Sequence, residues 1–151
     1  MITDALLQLS AAQAVTATAV STNTIDLSVN RDIGAGEDIY AVFGVDVSAA
    51  VAGAATVSFE VISAADAALT AGVTVLASSG AIPKADLVAG RAPISIPIPQ
   101  SALTSLPIGQ RYLGVRYTVA TGPLTAGSFT ANITDSEVSV GKNYPSGFAV
   151  A

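Results

Sequence analysis

Eleven acidic side chains, six basic ones and a set of hydroxyls are the ionisable and polar chemistry available to this chain of 151 residues. It has no histidine and no cysteine. Those two absences remove the usual nucleophile–base pairs, thiolate metal sites, disulfides and the simplest pH switch. Two carboxylates are worth weighing by position. Asp46 and Glu60 fall in consecutive strand-like segments, and a carboxylate pair on neighbouring strands is what glycoside hydrolysis requires. One such coincidence among eleven acids is expected by chance, and exposed rim positions account for both residues more simply.

Three other stretches carry the spacing of a site and fail on chemistry. GPLTAGS, Gly122 to Ser128, has the glycine spacing of a phosphate loop but lacks its lysine, and it lies between strands where that loop must open a helix. RDIGAGED, Arg31 to Asp38, gathers Asp32, Glu37 and Asp38 around Gly34 and Gly36, without the alternating acids and closing Glu of a calcium loop. A tight turn with a solvated charged rim explains it. Asn132-Ile133-Thr134 matches a glycosylation acceptor but sits in a predicted strand. The expectation is a protein without catalytic residues, metal or cofactor.

Charge narrows the partners. The net charge is −5, lysine occurs only at 84 and 142, and the four arginines are scattered. A nucleic-acid binder needs a basic stripe to displace counterions from phosphates, so no nucleic-acid role is expected. Charged residues make up only 11% of the chain, against about 25% in ordinary domains, while hydrophobic ones reach 51%. A surface of small polar residues, partly covered by a neighbour, fits that balance. No apolar run is long enough to span a membrane. The start, MITDALLQLS, has an acid where a secretory leader needs a positive charge.

The elements that would position any site read as short antiparallel strands. Arg111 to Ile133 alternates cleanly on both arms. Leu113, Val115, Tyr117 and Val119 share one face, and Phe129, Ala131 and Ile133 another, with a Gly/Pro connector between them. The pattern predicts a hairpin whose Leu113, Val115, Tyr117 and Phe129 are buried and whose Tyr112, Arg116 and Asn132 point outward. Val15 to Leu27 predicts one or two strands broken near Ser21–Asn23. Ile39 to Val47 and Thr56 to Ile62 alternate and could pair as a meander. Ser63 to Gly72 has helix character for one or two turns, with Ser63 as cap and Gly72 as stop. Val73 to Ala77 reads as a short strand closed by a turn at Ser78–Gly80, and Ile82 to Gly90 as loop or short helix. Pro93 to Pro99 places three isoleucines on one face and prolines on the other, which assigns it to a sheet edge.

Both ends stand apart from this pattern. Residues 1–14 carry Leu6, Leu7 and Leu9, either packed on the domain or presented as a docking arm. Residues 135–151 carry Tyr144 and Phe148 around a Pro-Ser-Gly break, in a final strand, a tail folded back on the domain, or a tail that docks on a partner. The division expected is an arm over 1–14, an all-β sandwich over 15–134 and a tail or last strand over 135–151.

Several segments together resemble the small capsid cement (decoration) proteins of tailed bacteriophages, a family typified by a Bordetella phage. They are Gln13 to Thr18 with Ser21-Thr22-Asn23 and Ile25-Asp26-Leu27, then Arg31-Asp32-Ile33-Gly34 with Gly36, the segment from Ile82-Pro83 to Gly90, and above all RYLGVRYTVATGPLTAGSFTA. The resemblance runs from about residue 4 to 134 and is weakest over 51–77. It implies an antiparallel, jelly-roll-like β-sandwich of about eight strands with little helix. It also implies a homodimer on the outer capsid surface of the virion, made in the bacterial host cytoplasm. There it would clamp neighbouring copies of the major capsid protein, with no small-molecule substrate and no catalysis. On that reading the partner contacts fall to Leu6, Leu7, Leu9, Tyr112, Arg116, Tyr144 and Phe148. A virion receptor- or carbohydrate-binding sandwich is the alternative, since the same architecture hosts lectins. Its usual aromatic platform finds little support in a chain with 5% aromatics and no tryptophan.

Overall fold

Alternation with period two decides the architecture, because each strand must bury one face and leave the other to solvent or to a covering loop. In the computed structural model, which describes residues 4–28, 39–107 and 109–135, the strands are β1 (Gln8–Ala14), β2 (Ala19–Val20), β3 (Ile25–Asp26), β4 (Ile39–Ala50), β5 (Thr56–Ala64), β6 (Thr74–Pro83), β7 (Ile94–Ile98), β8 (Tyr112–Ala120) and β9 (Ala126–Thr134). Among the described residues helix is confined to α1 (Gln100–Thr104) and single 3₁₀ turns at Ala5–Leu7 and Lys84–Asp86.

Two antiparallel sheets result. The first has the order β1-β9-β4-β7, and the second β2-β8-β5-β6, with β3 also on β8. With β2 and β3 taken as one interrupted strand, the first strand pairs with the last, the second with the seventh, the third with the sixth and the fourth with the fifth. That is a jelly roll, built as a sandwich. The expected fold class holds.

Four rings, one from each central strand, fill the space between the sheets. Phe43 of β4 and Phe129 of β9 come from the first sheet, Phe59 of β5 and Tyr117 of β8 from the second, and all four are buried. Phe59 meets Phe129 edge-on at 5.1 Å between centroids and Tyr117 at 5.8 Å. Such edge and stacked contacts add roughly 0.5–1.5 kcal/mol each to the burial itself.

Connectivity corrects two expectations. Arg111–Ile133 does not close as a hairpin, because β8 and β9 belong to opposite sheets. The turn between them uses left-handed backbone at Thr121 (φ 64°) and Gly122 (φ 103°). Nor do β4 and β5 form a meander. β8 pairs with β5 from Thr56↔Ala120 through Ala64↔Tyr112, and β9 pairs with β4. Periodicity reports which face is buried and is blind to which strand lies alongside.

Two local expectations also fail. Ser63–Gly72 forms no helix among the described residues. Ser63 and Ala64 finish β5, and the loop that follows is held by Asp66, which accepts from the amides of Thr70 and Ala71, each at 2.8 Å. Asp at a turn outcompetes the helix by offering nearby amides a side-chain acceptor. The strand at Val73–Ala77 does not stop at Ser78 but continues as β6 to Pro83, with register shifts against β5. By contrast β7 lies at the edge of its sheet, with Ile96 and Ile98 buried and Pro97 exposed, as the proline spacing predicts.

The arm expected up to residue 14 also ends early. Gln8–Ala14 is a strand of the first sheet, paired to β9. The amide of Asn23 donates to the Leu9 carbonyl at 2.9 Å, which ties the outer edge of β1 to the stretch between β2 and β3.

Candidate functional site

The residues expected to touch a partner do not form one patch. Leu9 is 1% exposed and belongs to the core, so it is withdrawn as a contact. Leu7 is half-buried against that core. Leu6 is 84% exposed, on a turn fixed by the Asp4 carboxylate, which accepts from the Leu6 amide at 2.9 Å. A period of two or three could not sort these leucines, because the chain enters β1 between Leu7 and Leu9 and changes its repeat there.

Tyr112 and Arg116 sit on β8. Tyr112 is half-buried against a second apolar cluster of Ile62, Ala64 and Leu69. The Arg111 guanidinium lies 5.0 Å from its ring centroid and donates to Asp26 at 2.8 Å. Interaction with Tyr112 and the nearby Asp26 carboxylate raise the Arg111 pKa above its already high value. Arg116 lies directly across from Glu60 on β5 and donates from Nε to its carboxylate at 2.7 Å, and the Thr118 hydroxyl donates to the same oxygen at 2.8 Å. Arg116 is thus a cross-strand partner first, with 31% of its side chain left exposed to a neighbour. Asn132, expected to point outward, does so in register yet is only 8% exposed. Tyr144, Phe148 and the RDIGAGED stretch lie outside the described residues.

The possible carboxylate pair is not assembled. Asp46 on β4 and Glu60 on β5 are on strands of different sheets. Each has its own hydrogen bonds, Asp46 accepting from the Thr130 hydroxyl at 2.8 Å and Glu60 from Arg116 and Thr118. Among the described residues no group of three His, Cys, Asp or Glu side chains could hold a metal, and no helix is long and apolar enough to cross a membrane. A shallow, open depression of about 530 Å³ is lined by Ile82, Pro83, Asp86 and Arg91. Arg91 there donates to the Asp86 carbonyl at 2.6 Å.

Sequence reasoning missed how the second sheet is covered. Leu69 is buried over Gly114, where a Cβ would come within 2.3 Å of the Leu69 Cδ1. A glycine inside an otherwise regular strand is the available signal for such a close approach. Apolar side chains are exposed elsewhere. Val47 and Val88 are the examples on adjoining segments, where Gly90 donates to the Val45 carbonyl and Ala49 to that of Leu87.

Comparison with known families then adds a decisive observation: the Bbp16 family model matches residues 9–133, almost the whole of the sandwich. The chain belongs to the Bbp16 family. The family takes its name from a Bordetella phage protein, and this member has an all-β sandwich fold. No curated protein matches the chain.

Proposed function

We propose that this Bbp16-family chain is a structural virion protein that binds the outside of the phage capsid and cements neighbouring copies of the major capsid protein. The observation that carries the reading is the family match over the full jelly roll. The side-chain chemistry supports it. Asp26, Asp46, Glu60 and Asp66 each spend their carboxylates on contacts that hold the sandwich and its loops together. A cement needs a stiff body and several modest contacts, which reinforce one another once the first has formed. The exposed Leu6, the half-buried Tyr112 and the exposed part of Arg116 are the described side chains we assign to such contacts. The protein acts as a homodimer and without catalysis in this reading.

The alternative of a carbohydrate-binding module calls for an aromatic platform. Four of the six described aromatic rings are instead spent on the core, and Tyr40 and Tyr112 are half-buried. Stoichiometry separates the two. Purified particles resolved on a gel should show a copy number comparable with that of the major capsid protein. A few copies per particle, at a vertex or tail, would overturn the cement reading in favour of an adhesin.

A further inference from the structure

The loop between β5 and β6 is seated on the second sheet through a single side chain. Ala65, Ala67, Ala68, Thr70, Ala71 and Gly72 are exposed, Asp66 is half-buried, and Leu69 alone is buried. Among the described residues, the hydrogen bonds of residues 65–71 stay inside the loop. The Asp66 carboxylate accepts from the amides of Thr70 and Ala71 and, at 2.6 Å, from the Thr70 hydroxyl. The Asp66 carbonyl accepts from the Leu69 amide at 3.1 Å, and the Ala65 amide donates to the Ala71 carbonyl at 2.9 Å across the neck. The fixed points lie just outside. The Ala64 carbonyl accepts from the Arg111 amide at 3.2 Å, and the Gly72 carbonyl accepts from the Gln110 side-chain amide. Gly72 turns the chain there in left-handed backbone, at φ 60°. Leu69 supplies the contact with the sheet, lying over Gly114 beside Ile62 and Ala64. Its own backbone is left-handed, at φ 57°, a conformation that is costly for a residue with a Cβ.

We propose that residues 65–71 form a lid that lifts off the second sheet while both sheets stay folded, with Leu69 as its latch and Gly114 as the slot. Three observations select this segment. It keeps its shape by bonds to itself, so lifting it breaks no ladder. It is seated by one residue, and that residue holds a strained backbone while seated. The slot beneath is open only because residue 114 has no side chain, since a Cβ there would collide with Leu69. Segments with few buried contacts and no hydrogen bonds to the body are those that open below the global unfolding limit. Lifting the lid uncovers Ile62, Ala64 and Gly114, an apolar stretch of the outward face that is otherwise shut from water. Gln110 and Arg111 hold the two ends of the hinge. The inference does not depend on the capsid reading.

The test uses the full chain, which has no cysteine of its own. Val61 and Ile62 are neighbours on β5 and both are 0% exposed, Val61 in the core between the sheets and Ile62 in the cluster with Leu69. Val61→Cys and Ile62→Cys each introduce one thiol, and the rate with a thiol reagent reads how each site is reached. The thiol at position 62 should label about tenfold faster or more than the one at 61, because a local opening is more frequent than unfolding. Low urea should speed labelling at 61 and leave 62 unchanged, since only global unfolding exposes much surface. Adding Leu69→Ala should speed labelling at 62 further. Equal rates at the two sites with the same urea dependence would overturn the proposal, and an unchanged rate in Leu69→Ala would overturn the latch. Should a cysteine variant fail to fold, NMR relaxation dispersion on the unaltered protein decides. The methyls of Ile62, Ala64 and Leu69 should share one exchange rate while those of Val61 show none. Flat profiles at all four residues would overturn the lid.

Discussion

Tyr117 of β8 stacks on Phe129 of β9, with 5.5 Å between ring centroids and 25° between their planes, and the two rings come from opposite sheets. The two most regular strands of the chain therefore meet through the core and not along a ladder. Phe129→Ala should cost about 3–5 kcal/mol, since it opens a cavity between sheets whose strands cannot close in on it. A urea denaturation midpoint measured against the parent reads the loss. A change below about 1 kcal/mol would mean that the two sheets are not held by this ring cluster.

Tyr117 also gives the fold an alkaline limit. Burial pushes its phenol pKa up to about 12 from 10.0 against a weaker pull from the nearby Ser10, and its hydroxyl makes no hydrogen bond of ordinary geometry among the described residues. The neutral form is the one the fold favours. Its contribution is therefore whole below about pH 10 and is lost as pH rises toward 12, by roughly 2–3 kcal/mol for a shift of this size. Tyr117→Phe should be close to neutral or stabilising near neutrality, because it removes a buried polar group that lacks a partner. It should also flatten this fall in stability between about pH 10 and 12. Matching alkaline unfolding curves for parent and variant would refute the assignment.

The loop over the second sheet should respond to acid through Asp66. Hydrogen bonds from the Ala71 amide and the Thr70 hydroxyl hold its carboxylate pKa below the ordinary 3.8. The stabilisation is present above that value and fades as pH falls below it. Asp66→Asn should raise amide exchange across residues 66–72 at neutral pH and leave the core strands protected. Unchanged exchange in the loop would show that the carboxylate does not order it.

Gly114→Ala tests the close approach of Leu69. The added Cβ meets both the Leu69 Cδ1 and, at 3.0 Å, the Ser21 hydroxyl. Ser21 is committed in turn, donating to the Asn23 carbonyl and accepting from the Val115 amide. We expect a loss of about 1–3 kcal/mol from overpacking, read by thermal denaturation. Leu69→Ala in the same background should recover part of it, because the clash is with that side chain.

For the capsid reading, Leu6→Asp is the informative surface change. Leu6 is exposed and has no role in the core, so stability should stay within about 0.5 kcal/mol. Occupancy on capsids, measured by co-sedimentation, should fall. Full occupancy would remove Leu6 from the contact surface.

Period-two patterning and proline placement were enough to determine much of this protein from its sequence. They indicated an all-β sandwich, the buried faces of β8 and β9, and β7 at an edge, because the alternation of side chains is a property of each strand by itself. The lack of histidine and cysteine likewise removed whole classes of chemistry before any fold was known. Only the tertiary structure decided that β8 and β9 part to opposite sheets, that Asp46 and Glu60 never meet, and that Leu9 is core while Leu6 is surface. It also decided that Asn132 and Val42, outward by register, are shielded from water. These are relations between strands far apart in the chain, and a strand's own sequence says which face it buries without naming the neighbour it buries it against.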